Sequence, residues 1–381
     1  MKAMKRILAC LLLLCLTLSA ALAETTIDPQ EKRKIKLADV EDNEVEEGIS
    51  PTTGLELDSL DVPDGAAGLA ATGRYMPVLV QIGNDEGGIG YRAPWGLSYA
   101  DIIYEAPLVR SQVTRLTAVF SDIIPDSVGY IRSARIGHIW LREEWNGALI
   151  YYGQQESDGS NVKAEIRKLK ASNMTFSGIG SSTPYKKYFT RVSGLKSPYN
   201  VDVNAAAIAE MVPEDEVAVN HTYKFMDESP EEGDSGNRVA ISWGNNSAAY
   251  NSVLLYSEKY SGYLRYLGGE VIADNLYIDK NTSSAIVFQN VIIQFTDVDY
   301  NHSNKNEPVM YVIGKNGASA EGNADFFMCG QHISGYWKRD SMTSRTVYYD
   351  ANGEELSLQR GHTLIVIFPD DAADGRSVVY E

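Results

Sequence analysis

The sequence predicts an α+β protein, with an N-terminal mixed α/β domain (73–212) followed by a mainly antiparallel β domain (238–381). Three observations carry this. In the first half, apolar runs of β character, "MPVLVQIGN" (76–84), "TRLTAVFSD" (114–122) and "ALIYYG" (148–153), alternate with two stretches of helical spacing, "SYADIIYEA" and "RIGHIWLREEW". The second half is almost wholly strand-like, from "RVAISWG" through "SAIVFQNVIIQFTDV" to "HTLIVIFP", with Gly, Asn and Asp between the runs. The acidic stretch "MDESPEEGDSGN" (226–237) separates the halves and predicts an inter-domain linker over 213–237.

The chain starts with "MKAMKRILACLLLLCLTLSAALAE", a basic start, an apolar run and the small-x-small pattern Ala21-Leu22-Ala23. This is the order of a secretory leader, residues 1–23, cut before Glu24. The competing reading, a spanning anchor, asks for roughly 20 apolar residues, and the run from Ile7 to Ala23 is short of that. Neither Cys10 nor Cys15 has the setting of a lipidation site. Cleavage removes two of the three cysteines and leaves Cys329, in "DFFMCGQ", which reads as a small buried residue rather than a reactive thiol. The expected address is therefore outside the cytoplasm, with no transmembrane segment after cleavage. Residues 24–72 combine "EKRKIK", "DVEDNEVEEG" and "GAAGLAATG" without helix or strand period, and read as a disordered linker. The formal charge is −17 with the three leader cations, hence about −20 without them. Such a surface repels nucleic acid and anionic lipid.

The residues that can carry chemistry cluster in the first domain. In "GYIRSARIGHIW" (129–140), Arg132, Ser133 and Arg135 precede a helix, at the end that carries partial positive charge and normally attracts anions. With Ser133 as a cap, the two guanidinium groups would flank free backbone amides, an arrangement that holds a phosphate or carboxylate. Arg115, at the head of "TRLTAVF", can point to the same place. Asp101 and Glu105 in "GLSYADIIYEAP" are four residues apart, on one face if the segment is helical, and Ser98 with Asp101 has the spacing of a capping box. Two readings stand together: the arginines bind an external anion, or Asp101 and Glu105 neutralise them in a structural network.

Other chemistries find less support. No G-x-S-x-G surrounds Ser133, and His138 is more than a helical turn from it. The five histidines have no paired ligand spacing, so neither a metal nor another cofactor is expected. "DVDYNHSNKNEP" (297–308) has His302 and Pro308 where an EF-hand needs Gly and Glu. The tyrosines and tryptophans fall in alternating β patterns, where packing accounts for them.

Several ordered motifs, "GLSYADIIYE", "TRLTAVFSD", "VGYIRSAR", "SPYNVD", "YLRYLGG", "NVIIQF" and "GYWKRD", resemble the YerB-like family of exported bacterial proteins of unknown function, from about Arg74 to Pro369. "SPTTGL" (50–55) is similar to a lead-in that precedes them. The resemblance implies a two-domain α+β exported protein with no established enzymatic activity. Its characteristic polar residues fall on Asp101, Tyr104, Glu105, Arg115, Arg132, Ser133, Arg135 and Asn200. This chain has Tyr199 where the family has His. The expectation is a non-enzymatic binding or scaffold protein of the cell envelope, with an arginine-centred pocket for a carboxylate- or phosphate-bearing small molecule or envelope component. The alternative is an envelope-directed hydrolase using Asp101 or Glu105 as acid or base. A protein partner would use the second domain's aromatic surface around Tyr336 and Trp337.

Overall fold

The computed structural model describes residues 24–84, 94–108, 113–180, 183–216, 218, 221–230, 233–244, 248–301, 307–371 and 373–381. The expected leader, residues 1–23, and residues 302–306 of the EF-hand-like stretch lie outside them.

One mixed sheet of eleven strands organises the molecule. In chain order its strands are β1 (Val78–Gly83), β2 (Ile102–Pro107), β3 (Thr114–Phe120), β4 (Ala148–Tyr151), β5 (Thr175–Ser177), β6 (Asp234–Ser235), β7 (Asn290–Thr296), β8 (Ala320–Met328), β9 (Gln331–Arg339), β10 (Val347–Tyr349) and β11 (Thr363–Pro369). Across the sheet the order is β6-β9-β8-β7-β11-β2-β3-β1-β4-β5, and β10 also pairs with β9. The expected apolar runs form β1, β3 and β4, and the helix over "RIGHIWLREEW" is α1 (Ile136–Trp145).

The other helical reading is corrected. "SYADIIYEA" contributes β2, the parallel neighbour of β11 in register Thr363↔Ile102 to Val366↔Glu105. Every residue of β2 is buried because the sheet is covered on both faces, so the apolar residues run on without alternating. Such a run, containing two β-branched isoleucines, imitates helical spacing in a short window.

A six-stranded antiparallel sheet, including Arg238–Ser242, Ser252–Ser257, Gly262–Leu267 and Ser377–Tyr380, packs on one face of the long sheet. Val239, Ile241, Trp243, Leu254 and Tyr263 share a core there with Val80, Val291, Phe295, Leu364 and Val366. On the other face, α1 with Val298, Tyr300 and residues 309–313 buries Leu79, Tyr104, Trp145, Ile292 and Ile365.

The β2–β11 ladder runs the long sheet through both halves of the chain, so the halves share their interior. The expected linker 213–237 is accordingly built in. Lys224–Met226 pairs with Ser357–Gln359, β6 pairs with β9, and His221 and Tyr223 are buried. The expected disordered linker 24–72 is also corrected. Thr25–Thr26 pairs with Tyr380–Val379 at the edge of the six-stranded sheet. Arg33 reaches Asp325 at 2.8 Å, and Ser50, Thr52 and Thr53 are buried. Its polar composition hides this because its buried hydroxyls are satisfied by hydrogen bonds. Cys329 sits half-buried in the β8–β9 turn at φ 53°, rather than in the core. No helix among the described residues is long and apolar enough to cross a membrane.

Candidate functional site

Strand alternation separates the expected cluster into two faces. Asp101 and Glu105 face the six-stranded sheet, as Ile103 does, whereas Tyr104 and Arg115 face the side covered by α1. The network of Asp101 and Glu105 with Arg115, Arg132 and Arg135 therefore does not form.

Glu105 is fully buried and pairs with Arg265, Oε2 to Nη2 at 2.5 Å, across the two sheets. Its other oxygen accepts from Thr114 Oγ1 at 2.7 Å and Asn84 Nδ2 at 3.2 Å. Asp101 does not cap a helix. Its Oδ2 accepts from Ser121 N, from Ser121 Oγ at 2.8 Å and from Asp122 N at 3.2 Å. Burial, and then the Asp122 carboxylate, push the Asp101 carboxyl well above its ordinary range. Asp122 in turn accepts from Ser50 Oγ at 2.7 Å and Thr53 Oγ1 at 2.8 Å, so the "SPTTG" lead-in plugs this end of the sheet. Tyr104 is core, its OH accepting from Trp145 Nε1 at 3.1 Å, and burial raises its phenol well above the ordinary value.

The arginines diverge. Arg115, 2% exposed, donates Nη1 to Ser133 O at 2.9 Å and so supports the turn from below. Arg135 precedes α1 and meets Glu307 at 3.2 Å, while its backbone N–H is capped by His138 Nδ1 at 3.0 Å. Here a carboxylate of the second half answers a cation at a helix start. Burial, with Arg115 and Arg135 nearby, lowers His138 well below its ordinary value, which keeps the ring neutral and able to accept.

Arg132 turns the other way, into a cavity of ≈ 220 Å³ that Ser133, Tyr152 and Arg191 also line. Arg191 lies on Phe189–Arg191, the hairpin partner of Val201–Val203, and sequence reasoning missed it. Its Nη1 donates to Asn200 Oδ1 at 2.6 Å and its Nη2 to Tyr152 OH at 3.3 Å, and Asn200 Nδ2 donates to Leu195 O at 3.1 Å. Asn200 therefore orients a cavity arginine. Each guanidinium lies over a ring, Arg132 over Tyr199 at 5.5 Å and Arg191 over Tyr152 at 5.6 Å. Tyr199 thus supports Arg132 through its π face. Ile179, 55% exposed, and Pro198 complete the rim. Of the eight expected residues, Arg132 and Ser133 line this cavity and Asn200 stands behind it.

The aromatic surface proposed for a protein partner is also corrected. Trp337 is buried, its indole N–H bonded to Phe295 O at 2.8 Å, because β9 presents it to the core.

Two family models match the chain: "Protein of unknown function (DUF3048) N-terminal domain" over residues 66–218 and the DUF3048 C-terminal domain over residues 238–365. A curated relative, "Putative lipoprotein YerB" of Bacillus subtilis (strain 168), is 25% identical over 307 residues, covering 78% of this chain and 82% of YerB. The crystal structure of Bacillus subtilis YerB matches with a TM-score of 0.66 at 20% identity, covering 87% of this chain and 99% of that one, which shows a common fold. With both halves matched in order and the same fold in YerB, the chain belongs to the YerB-like, DUF3048 family.

Proposed function

We propose that the protein is exported and acts in the bacterial cell envelope as a non-enzymatic binding or scaffold protein, with the Arg132–Arg191 cavity receiving a carboxylate or phosphate group. The observation that carries this reading is the pair of guanidinium groups lining one small cavity. Arg191 is held by neutral partners, Asn200 and Tyr152, with no carboxylate at ion-pair distance among the described residues. Arg132 also reaches Pro198 O through Nη1 at 3.4 Å, and the planar five-donor fork of a guanidinium suits planar or tetrahedral anions. Export is supported by the leader pattern and by the name of the B. subtilis relative. The hydrolase alternative loses its groups, since Asp101 and Glu105 are 1% and 0% exposed and already bonded.

The test is calorimetric titration of the full mature chain with glycerol 3-phosphate and with acetyl-alanyl-alanine as a free carboxylate. Wild type is expected to bind one of them. The Arg132→Gln, Arg191→Gln double variant should bind at least about a hundredfold more weakly, since each charge-assisted bond contributes roughly 1.5–3 kcal/mol. Equal binding by both proteins would overturn the assignment.

A further inference from the structure

The largest of the described cavities, ≈ 660 Å³, lies far from the arginines, at the outer edge of β9. Two short strands share that edge: β6 pairs with Gln331 and His332, and β10 pairs with Tyr336 to Lys338. Between them, Ile333–Gly335 has no strand partner on that side among the described residues. The cavity opens at this gap, lined by Ile333 and Ser334, by Asp234 of β6 and by Asp350 of the turn after β10.

His332, 8% exposed, also lines it. Its Nε2 is 2.7 Å from Asp325 Oδ1, and Asp325 Oδ2 takes Arg33 Nη2 at 2.8 Å. With Asp325 Oδ2 taken by Arg33, Oδ1 accepts from Nε2–H, and a ring with its one proton on Nε2 presents a lone pair at Nδ1. No described residue donates to that nitrogen. The cavity lining thus offers carboxylates, hydroxyls and an imidazole lone pair, includes no Lys or Arg, and has the apolar side chains of Met226 and Leu356 beside them.

We infer that this cavity is a second binding site, for an aliphatic primary amine, with the ammonium between Asp234 and His332 Nδ1 and the alkyl chain on Met226 and Leu356. An ammonium supplies three donors and a positive charge, which suits a lining that carries the Asp234 carboxylate and no Lys or Arg. The amine is that of a free polyamine or of a lysine-type side chain on an extended polypeptide. In the second case the peptide backbone can also bond the open edge at Ile333–Gly335.

The test is titration of the full mature chain with putrescine, with Nα-acetyl-lysine methylamide and with the uncharged acetyl-norleucine methylamide, read by calorimetry and by amide shifts at 332–334. Both amines are expected to bind and the norleucine compound to fail. Tighter binding of the lysine compound assigns the polypeptide source, and tighter binding of putrescine the free polyamine. Asp234→Asn, at an exposed position, should weaken amine binding about tenfold or more. His332→Gln, whose Nε2 keeps a donor to Asp325 while its acceptor moves from the ring's Nδ1 position to Oε1, should weaken it as well. No saturable amine binding up to about 10 mM, where even a weak millimolar site is filled, overturns the inference. So does equal affinity in wild type and Asp234→Asn, a comparison that stands even if the histidine variant misfolds.

Discussion

Replacing Glu105 by Gln removes one charge from the pair that joins the two sheets. Both side chains are fully buried, and Gln can still accept from Thr114 Oγ1, so the change isolates the charge. Arg265 is left with the face of Tyr277 at 5.3 Å, and its Nε and Nη1 have no hydrogen-bond partner among the described residues. A buried guanidinium stripped of its carboxylate costs roughly 3–5 kcal/mol. At about 2–4 °C per kcal/mol for a large domain, the expected fall in midpoint is of order 6–20 °C. The assay is thermal and urea unfolding of wild type, Glu105→Gln, Arg265→Met and the double variant. Arg265→Met removes the orphaned charge, so the double variant should be more stable than the sum of the single losses by about 2 kcal/mol or more. A loss under about 1 kcal/mol for Glu105→Gln, or strict additivity, would refute the claim that this pair is desolvated and mutually dependent.

The same interior makes three further predictions. Asp101 has its folded value raised above the ordinary 3.8, so its contribution is fully present below about pH 4 and is lost as pH rises through the raised value; Asp101→Asn should flatten that part of the stability profile. His138 has the opposite sign: its value is lowered from 6.5, so its contribution is present above pH 6.5 and is lost as pH falls through the lowered value. His138→Asn should flatten the acid limb, and melting curves from pH 4 to 8 that keep the wild-type slopes in either variant would contradict the assignment. The halves should not fold apart, because a fragment of residues 66–218 lacks both β11 beside β2 and Arg265 for Glu105. Circular dichroism of that fragment should show no cooperative unfolding, and an independent, cooperative melt would count against one shared interior.

Much of this architecture is legible in the residues, because β1, β3 and β4 are short apolar runs and the segment of α1 has helical spacing. β2 is not, since in this equally buried strand Glu105 follows Asp101, the residue just before it, at helical spacing around the apolar residues, and reading it as helix places the two carboxylates toward the arginines. As a strand it turns them away from Arg115 by parity alone. The partners that decide the site are distant in sequence. Glu307 answers Arg135, Arg265 answers Glu105, and Asn200 holds Arg191 only once a hairpin has brought them together. The "SPTTG" plug and the Arg33–Asp325 contact show a further limit, because buried polar residues that are fully bonded have the composition of a linker.

The most direct test of the binding role is the arginine Nε–Hε NMR spectrum of residues 24–381 during titration with glycerol 3-phosphate and acetyl-alanyl-alanine. The account predicts that one of these anions shifts the Arg132 and Arg191 resonances together, with a single saturation constant, while Arg135, already paired with Glu307, stays still. Shifts at Arg135 without Arg132 or Arg191, or no saturable shift at either cavity arginine, would contradict it.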